Sequence, residues 1–149
     1  MSEVVKSVLV PYTPAEMFVL VDQVEDYPQF LPWCGHTDLH ERDEAVTEAT
    51  LHIDYHHLRQ HFTTRNLKHA PHEMHIRLKS GPFRKMEGGW RFQPLGEPDA
   101  IVGCKIEFKL HYEFSNAAFD AVLGPVFGYI AGSLVDSFIQ RAEQVYGAR

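Results

Sequence analysis

Cysteine is scarce. Only Cys34 and Cys104 occur among 149 residues, and neither has a second cysteine at C-x-x-C spacing. That excludes a disulfide framework and a cysteine zinc site, and leaves two free, buried thiols as the expectation. No window approaches the roughly 18–20 apolar residues of a membrane span, so no transmembrane segment is expected. The opening residues, MSEVVKSVLVPY, carry neither a basic leader with a long apolar stretch nor a small-residue cleavage site, so a cytoplasmic protein is expected. No Ser-His-Asp pattern, phosphate-cradling glycine loop or facing carboxylate pair stands out, so no catalytic residues are assigned and an enzyme is not expected. Repeats, low-complexity runs and linkers are also missing, and residues 1–149 are read as one domain.

Positive charge is in deficit, with 14 Lys+Arg against 20 Asp+Glu and a net charge of −6, so the chain as a whole is not built to attract nucleic acid. The deficit is uneven. From Arg59 to Lys109 there are ten basic and five acidic residues, a net of +5, which leaves −11 for the remainder. If the middle of the chain forms contiguous strands, one sheet face becomes basic.

What is present is a globular composition, 44% hydrophobic and 23% charged. Val4 to Val10 is β-branched and apolar, and Pro11 ends it as a first strand. Thr13-Pro14-Ala15-Glu16 then has the form of a capping box, opening a helix with Met17, Phe18, Leu20, Val21 and Val24 on one side. Tyr27 to Cys34 packs aromatic and apolar residues between prolines, which suits a buried turn or short helix. Beyond it the period changes to two. Ala49, Leu51, Ile53 and Tyr55 alternate with polar residues, Phe62 marks a further strand, and Met74, Ile76 and Leu78 another. Met86, Gly88, Trp90 and Phe92 share one parity, and the Gly88-Gly89 pair predicts a bulge or sharp bend. Alternation is cleanest from Cys104 to Phe114.

From Asn116, a plausible cap, apolar residues recur every three or four positions through Val145, which predicts a long C-terminal helix. Gly124, Gly128 and Gly132 lie four apart on it, either packing against the sheet or leaving room for a ligand. Pro125 predicts a kink or an early break. The reading from residues alone is α+β: an antiparallel sheet gripping this helix around an apolar cavity.

Ten histidines invite a metal, above all His52, His56, His57 and His61. However, adjacent His56 and His57 would point to opposite faces of a strand, and H-E-x-x-H spacing is absent, so no metal site is expected.

The element order, together with the motifs, resembles the START-like helix-grip superfamily, also described as polyketide cyclase/dehydrase-like. Within it the chain is similar to the branch of coenzyme Q-binding proteins and RatA-type ribosome association toxins. The residues that carry the likeness are Val10-Pro11-Tyr12 with Met17-Phe18, Tyr27 to Pro32, Phe62 to Asn66, and Gly81 to Phe92. The resemblance implies a curved antiparallel sheet of about seven strands wrapped around the C-terminal helix, with two short helices after the first strand.

It also implies two functions. The first is a non-catalytic binder or chaperone of a hydrophobic molecule, a polyprenyl quinone such as ubiquinone or another isoprenoid lipid, that supports respiration. The alternative is a RatA-type toxin that binds the large ribosomal subunit and blocks subunit association. For the first, the candidate ligand contacts are Tyr27, Phe30, Leu31, Trp33, Trp90, Phe92, Phe108, Tyr112 and Phe127, each of which could equally be ordinary core. For the second, Arg59, Arg65, Arg77, Lys79, Lys105 and Lys109 are the candidate contacts to the ribosome, or to an anionic membrane surface. No cofactor beyond such a bound lipid is expected.

Overall fold

Strands alternate and helices repeat where the side-chain pattern asks for it. In the computed structural model, which describes residues 2–149, seven strands form one antiparallel sheet. They are β1 (Ser2–Val10), β2 (Cys34–Arg42), β3 (Val46–Tyr55), β4 (Leu58–His69), β5 (Glu73–Ser80), β6 (Phe83–Glu97) and β7 (Ala100–Phe114). Helix α1 (Pro14–Asp22) and a 3-10 turn (Val24–Gln29) separate β1 from β2, and helix α2 (Ala117–Tyr146) follows β7. The strand order is β1-β7-β6-β5-β4-β3-β2, so successive hairpins run from β2 to β7 and β1 closes the far edge.

The capping box forms as predicted. Thr13 Oγ1 accepts from the Glu16 amide at 3.2 Å, and the Thr13 amide donates to Glu16 Oε1 at 2.9 Å. Such a cap stabilises a helix by about 1 kcal/mol. Asn116 caps α2 in the same manner, its Oδ1 accepting from the Phe119 amide at 2.8 Å. All of Cys104, Ile106, Phe108, Leu110, Tyr112 and Phe114 on β7 are buried. They meet the buried stripe of α2, which includes Leu123, Phe127, Ile130, Ala131, Val135, Phe138 and Ala142. Each large apolar side chain so covered contributes about 1.5–3 kcal/mol relative to exposure.

Several expectations need correction. Strand β2 was not anticipated from its own residues. Its period is broken by register irregularities between Cys34 and His36 and between Leu39 and Glu41, and as an edge strand it is mostly exposed. Of the bulge or sharp bend predicted at Gly88-Gly89, the bulge is not there, since pairing stays in register on both sides. The irregularities of β6 fall at Phe83/Lys85 and Leu95/Gly96, and the two glycines instead permit close strand approach. A Cβ at Gly88 would stand 2.1 Å from the Lys109 carbonyl oxygen, and one at Gly89 would stand 2.5 Å from that of Met74.

Helix α2 continues through Pro125 without a break. It is also apolar enough, by length and composition, to cross a membrane, with a mean hydropathy of 1.5 over an 18-residue window. The count of consecutive apolar residues missed this because glycine, proline, serine and aspartate interrupt the run. In the fold, its apolar stripe is covered by the sheet. The glycine ridge does not pack tightly, since a Cβ at Gly128 or Gly132 would meet nothing within 4 Å. Finally, His56 and His57 are not strand residues. Both have positive φ, 49° and 65°, and they form the two-residue turn of the β3–β4 hairpin.

Candidate functional site

The concave face of the sheet and the buried stripe of α2 enclose an internal cavity of about 70 Å³. Its floor comes from inward side chains of β3 to β7, including Leu51, Phe62, Thr64, Asn66, Met74, Trp90 and Phe108, and α2 covers it with Phe127, Ile130, Ala131, Leu134 and Phe138. Val21, Val24, Tyr27 and Trp33 close one end. The Tyr27 hydroxyl donates to the Val21 carbonyl, and burial pushes its pKa upward.

Five of the nine anticipated ligand contacts line this cavity: Tyr27, Trp33, Trp90, Phe108 and Phe127. The other four do not. Phe92 lies behind Trp90, stacked on it at 5.9 Å and edge-on to Phe18. Tyr112 packs against the far side of Phe127, with centroids 4.6 Å apart. Leu31 is core, its amide held by the Tyr27 carbonyl at 2.9 Å. Phe30 stands at the outside of Phe138 with the Arg141 guanidinium 5.1 Å above its ring. Parity along a strand names a face, and only packing decides which members of that face reach the cavity.

Two wall residues carry unanswered polarity. Trp33 Nε1 and Asn66 Oδ1 are buried without a hydrogen-bond partner among the described residues. An unsatisfied buried group costs about 1–3 kcal/mol, so the walls carry one costly unpaired donor and one costly unpaired acceptor. Asn66 was not foreseen as a site residue. It shares its inward face with Phe62, Thr64 and Lys68, a line that becomes more polar along β4. At the end of that line the Lys68 side chain, only 5% exposed, pairs with Asp22 at 3.1 Å, and Asp22 accepts a further bond from Thr47 at 2.6 Å. The buried thiols of Cys34 and Cys104 are both pushed up to about 11 by burial, so neither is a reactive thiolate.

On the convex face, the six anticipated cations do not form an open basic patch. Arg65 pairs with Glu41 at 3.0 Å and with Glu48 at 3.2 Å, and Lys79 reaches the other oxygen of Glu48 at 2.9 Å. Arg59 is 3.8 Å from Asp54, and Lys105 is 3.4 Å from Glu107. Among the described residues, Arg77 and Lys109 alone of the six lack an acidic partner within 4.0 Å. The same face brings His36, Asp38 and His52 together, with donor atoms all within 4.8 Å of one another. Spacing along the chain does not register this grouping, because its members meet across strands.

The profile of the family described as "Polyketide cyclase / dehydrase and lipid transport" matches residues 10–139. The Pseudomonas aeruginosa protein named "Ribosome association toxin RatA" is 39% identical over 142 residues, covering 95% of this chain and 96% of that protein. The mitochondrial coenzyme Q-binding protein of Drosophila melanogaster is 26% identical over 143 residues, covering 95% of this chain and 59% of that protein. Among solved structures, a START superfamily protein from Mycobacterium smegmatis superposes with a TM-score of 0.76 at 20% identity, covering 96% of this chain and 98% of that one, a likeness of fold.

Proposed function

Because the chain belongs to the polyketide cyclase / dehydrase and lipid transport family and has its START-like fold, we propose that it is a non-catalytic binding protein of the RatA type, which docks on the large ribosomal subunit and opposes subunit association. The observation that carries this reading is the 39% identity to the Pseudomonas aeruginosa toxin over nearly the whole of both chains, against 26% to the coenzyme Q-binding protein over part of its length. It reverses the order of the two functions that the motifs alone suggested. Cytoplasmic residence, alongside ribosomes, is part of the proposal.

The geometry agrees in two respects. A cavity of about 70 Å³ is far smaller than the roughly 300–1,000 Å³ of typical ligand sites, so a polyprenyl quinone does not fit it without rearrangement. The cavity walls carry no carboxylate, imidazole or amine, which favours binding over acid–base catalysis. Among the described residues Arg77 and Lys109 alone of the candidate cations lack an acidic partner, so about two phosphate contacts are available from that set.

The test is gradient sedimentation of the purified protein with separated ribosomal subunits at subunit-joining magnesium. The protein should travel with the large subunit and lower the yield of joined ribosomes. Protein left at the top of the gradient, with joining unchanged, would reject the proposal.

A second reading rests on Trp33 and Asn66. Their unanswered donor and acceptor suit a small amphiphile with a carbonyl or hydroxyl head, which the apolar walls would complete. Native mass spectrometry of protein purified without detergent checks it, and a uniformly empty protein would oppose it.

A further inference from the structure

The convex end of the β2–β3 ribbon holds a cluster that neither the cavity nor a ribosome contact uses. Its assembly depends on one irregularity. Cys34 pairs with Ile53, and His36 pairs with the next residue, His52, so Gly35 is an extra residue in β2. In a regular strand His36 would share the inward face of buried Cys34, because side chains two apart lie on one side. The extra residue turns His36 outward beside His52, and Asp38 follows on the same face. Across the next pair of strands His52 lies opposite His61. The three imidazoles thus form a row over β2, β3 and β4, with ring centroids 5.2 Å and 5.5 Å apart.

Asp38 stands between the first two. Its Oδ1 accepts from His36 Nε2 at 2.8 Å and its Oδ2 from His52 Nε2 at 2.7 Å. We propose that His36 Nε2, His52 Nε2 and an Asp38 carboxylate oxygen form a binding site for a divalent transition-metal ion of the zinc class, clipping edge strand β2 to β3.

Zinc–nitrogen and zinc–oxygen bonds of about 2.0–2.2 Å in a tetrahedral shell place donor atoms roughly 3.3–3.5 Å apart. Each histidine is already nearer than that to Asp38, and all three donors lie within 4.8 Å. Coordination therefore requires the imidazole nitrogens to converge by at most about 1.5 Å. The side chains have that freedom, being 66%, 45% and 36% exposed for His36, Asp38 and His52. Two nitrogens and one carboxylate select zinc, cobalt, nickel or copper over calcium and magnesium, which prefer all-oxygen shells. The fourth position is left to water or to His61.

The experiment uses untagged protein, stripped with chelator and dialysed against zinc, with bound metal measured by mass spectrometry and coordination read from visible absorption after cobalt replacement. The expected result is one ion per chain, a cobalt spectrum of imidazole ligation, and a rise in Tm on loading. His36→Gln, His52→Gln and Asp38→Asn should each weaken retention at least about tenfold. His75→Gln, which alters the separate His75–Glu87 pair, should retain wild-type binding. Circular dichroism of each metal-free variant controls for folding. Absence of stoichiometric metal, or equal loss in all four variants, or retention unchanged in His36→Gln and His52→Gln, overturns the site.

Discussion

Both carboxylate oxygens of Glu16 accept hydrogen bonds from the Arg149 guanidinium, each at 2.7 Å, joining the first turn of α1 to residues beyond the end of α2. The same guanidinium lies 5.1 Å from the Tyr12 ring centroid and 5.9 Å from that of Tyr146. Tyr146 donates to the Glu16 carbonyl at 2.9 Å, and Tyr12 donates to the Gly147 carbonyl at 2.8 Å. The helix that roofs the cavity is thereby anchored at its C-terminal end.

Acid should release that anchor. The Arg149 hydrogen bonds, opposed by partial burial and aided by bonds from Thr13, lower the Glu16 carboxyl from 4.5 to about 2. A depressed folded pKa contributes stability that is fully present above the unfolded value and is lost as pH falls from there through the folded value. Removing the pair with Arg149→Ala should lower stability at neutral pH, by an amount that solvent screening keeps small. Urea denaturation across pH should show the gap between wild type and variant closing between about 4.5 and 2. A gap independent of pH would refute the assignment.

The cavity trades stability for polarity. Asn66→Leu keeps the branched shape, extends into the adjoining cavity and removes a buried acceptor without a partner, so the variant should gain about 1 kcal/mol in denaturant unfolding. If Asn66 binds a guest's head group, the same variant should lose any small molecule that co-purifies with wild type. A destabilised Asn66→Leu would show that Asn66 is satisfied in the native protein.

Glycines on the two sides of the molecule should respond in opposite directions. At Gly128 and Gly132 an added methyl meets open space, so alanine should stabilise α2 by up to about 1 kcal/mol at each position. At Gly88 the methyl would collide with the Lys109 carbonyl, and alanine should destabilise by roughly 2 kcal/mol or more. Thermal unfolding of the three variants separates these outcomes, and a stabilising Gly88→Ala would contradict the strand approach described.

The β3–β4 hairpin turn carries avoidable strain. His56 and His57 both occupy the left-handed region, where Asn-Gly is favoured in two-residue turns. The double variant His56→Asn, His57→Gly should raise stability by about 1 kcal/mol or more. No gain in Tm would mean that the histidines make compensating contacts.

Charge reversal distinguishes free from paired cations on the convex face. If it meets ribosomal RNA, Arg77→Glu and Lys109→Glu should each weaken co-sedimentation more than Lys79→Glu, because Lys79 is already engaged by Glu48. Equal effects of all three would point to the overall field instead of to individual contacts.

Legibility differed from element to element for physical reasons. The capping box at Thr13 is a contact among residues three apart, so its pattern is its structure. Strand β7 was legible because one face is buried along most of its length, which makes the two-residue period nearly complete. Strand β2 was not, because irregular pairing and edge exposure remove the period. Asn66 was overlooked for a related reason: alternation assigns polar residues outward, and a buried polar group on the inner face breaks that rule.

By itself, the sequence determined the helix caps, the strands with one buried face and much of the apolar interior, since caps and side-chain periods depend on near neighbours along the chain. It also placed five of the cavity's aromatic walls. Only the tertiary structure decided that Glu41, Glu48, Asp54 and Glu107 neutralise most of the expected basic face, that the cavity is small, and that Gly35 swings His36 beside His52. Those outcomes depend on register between strands and on which distant charges meet, and neither is encoded in any local window.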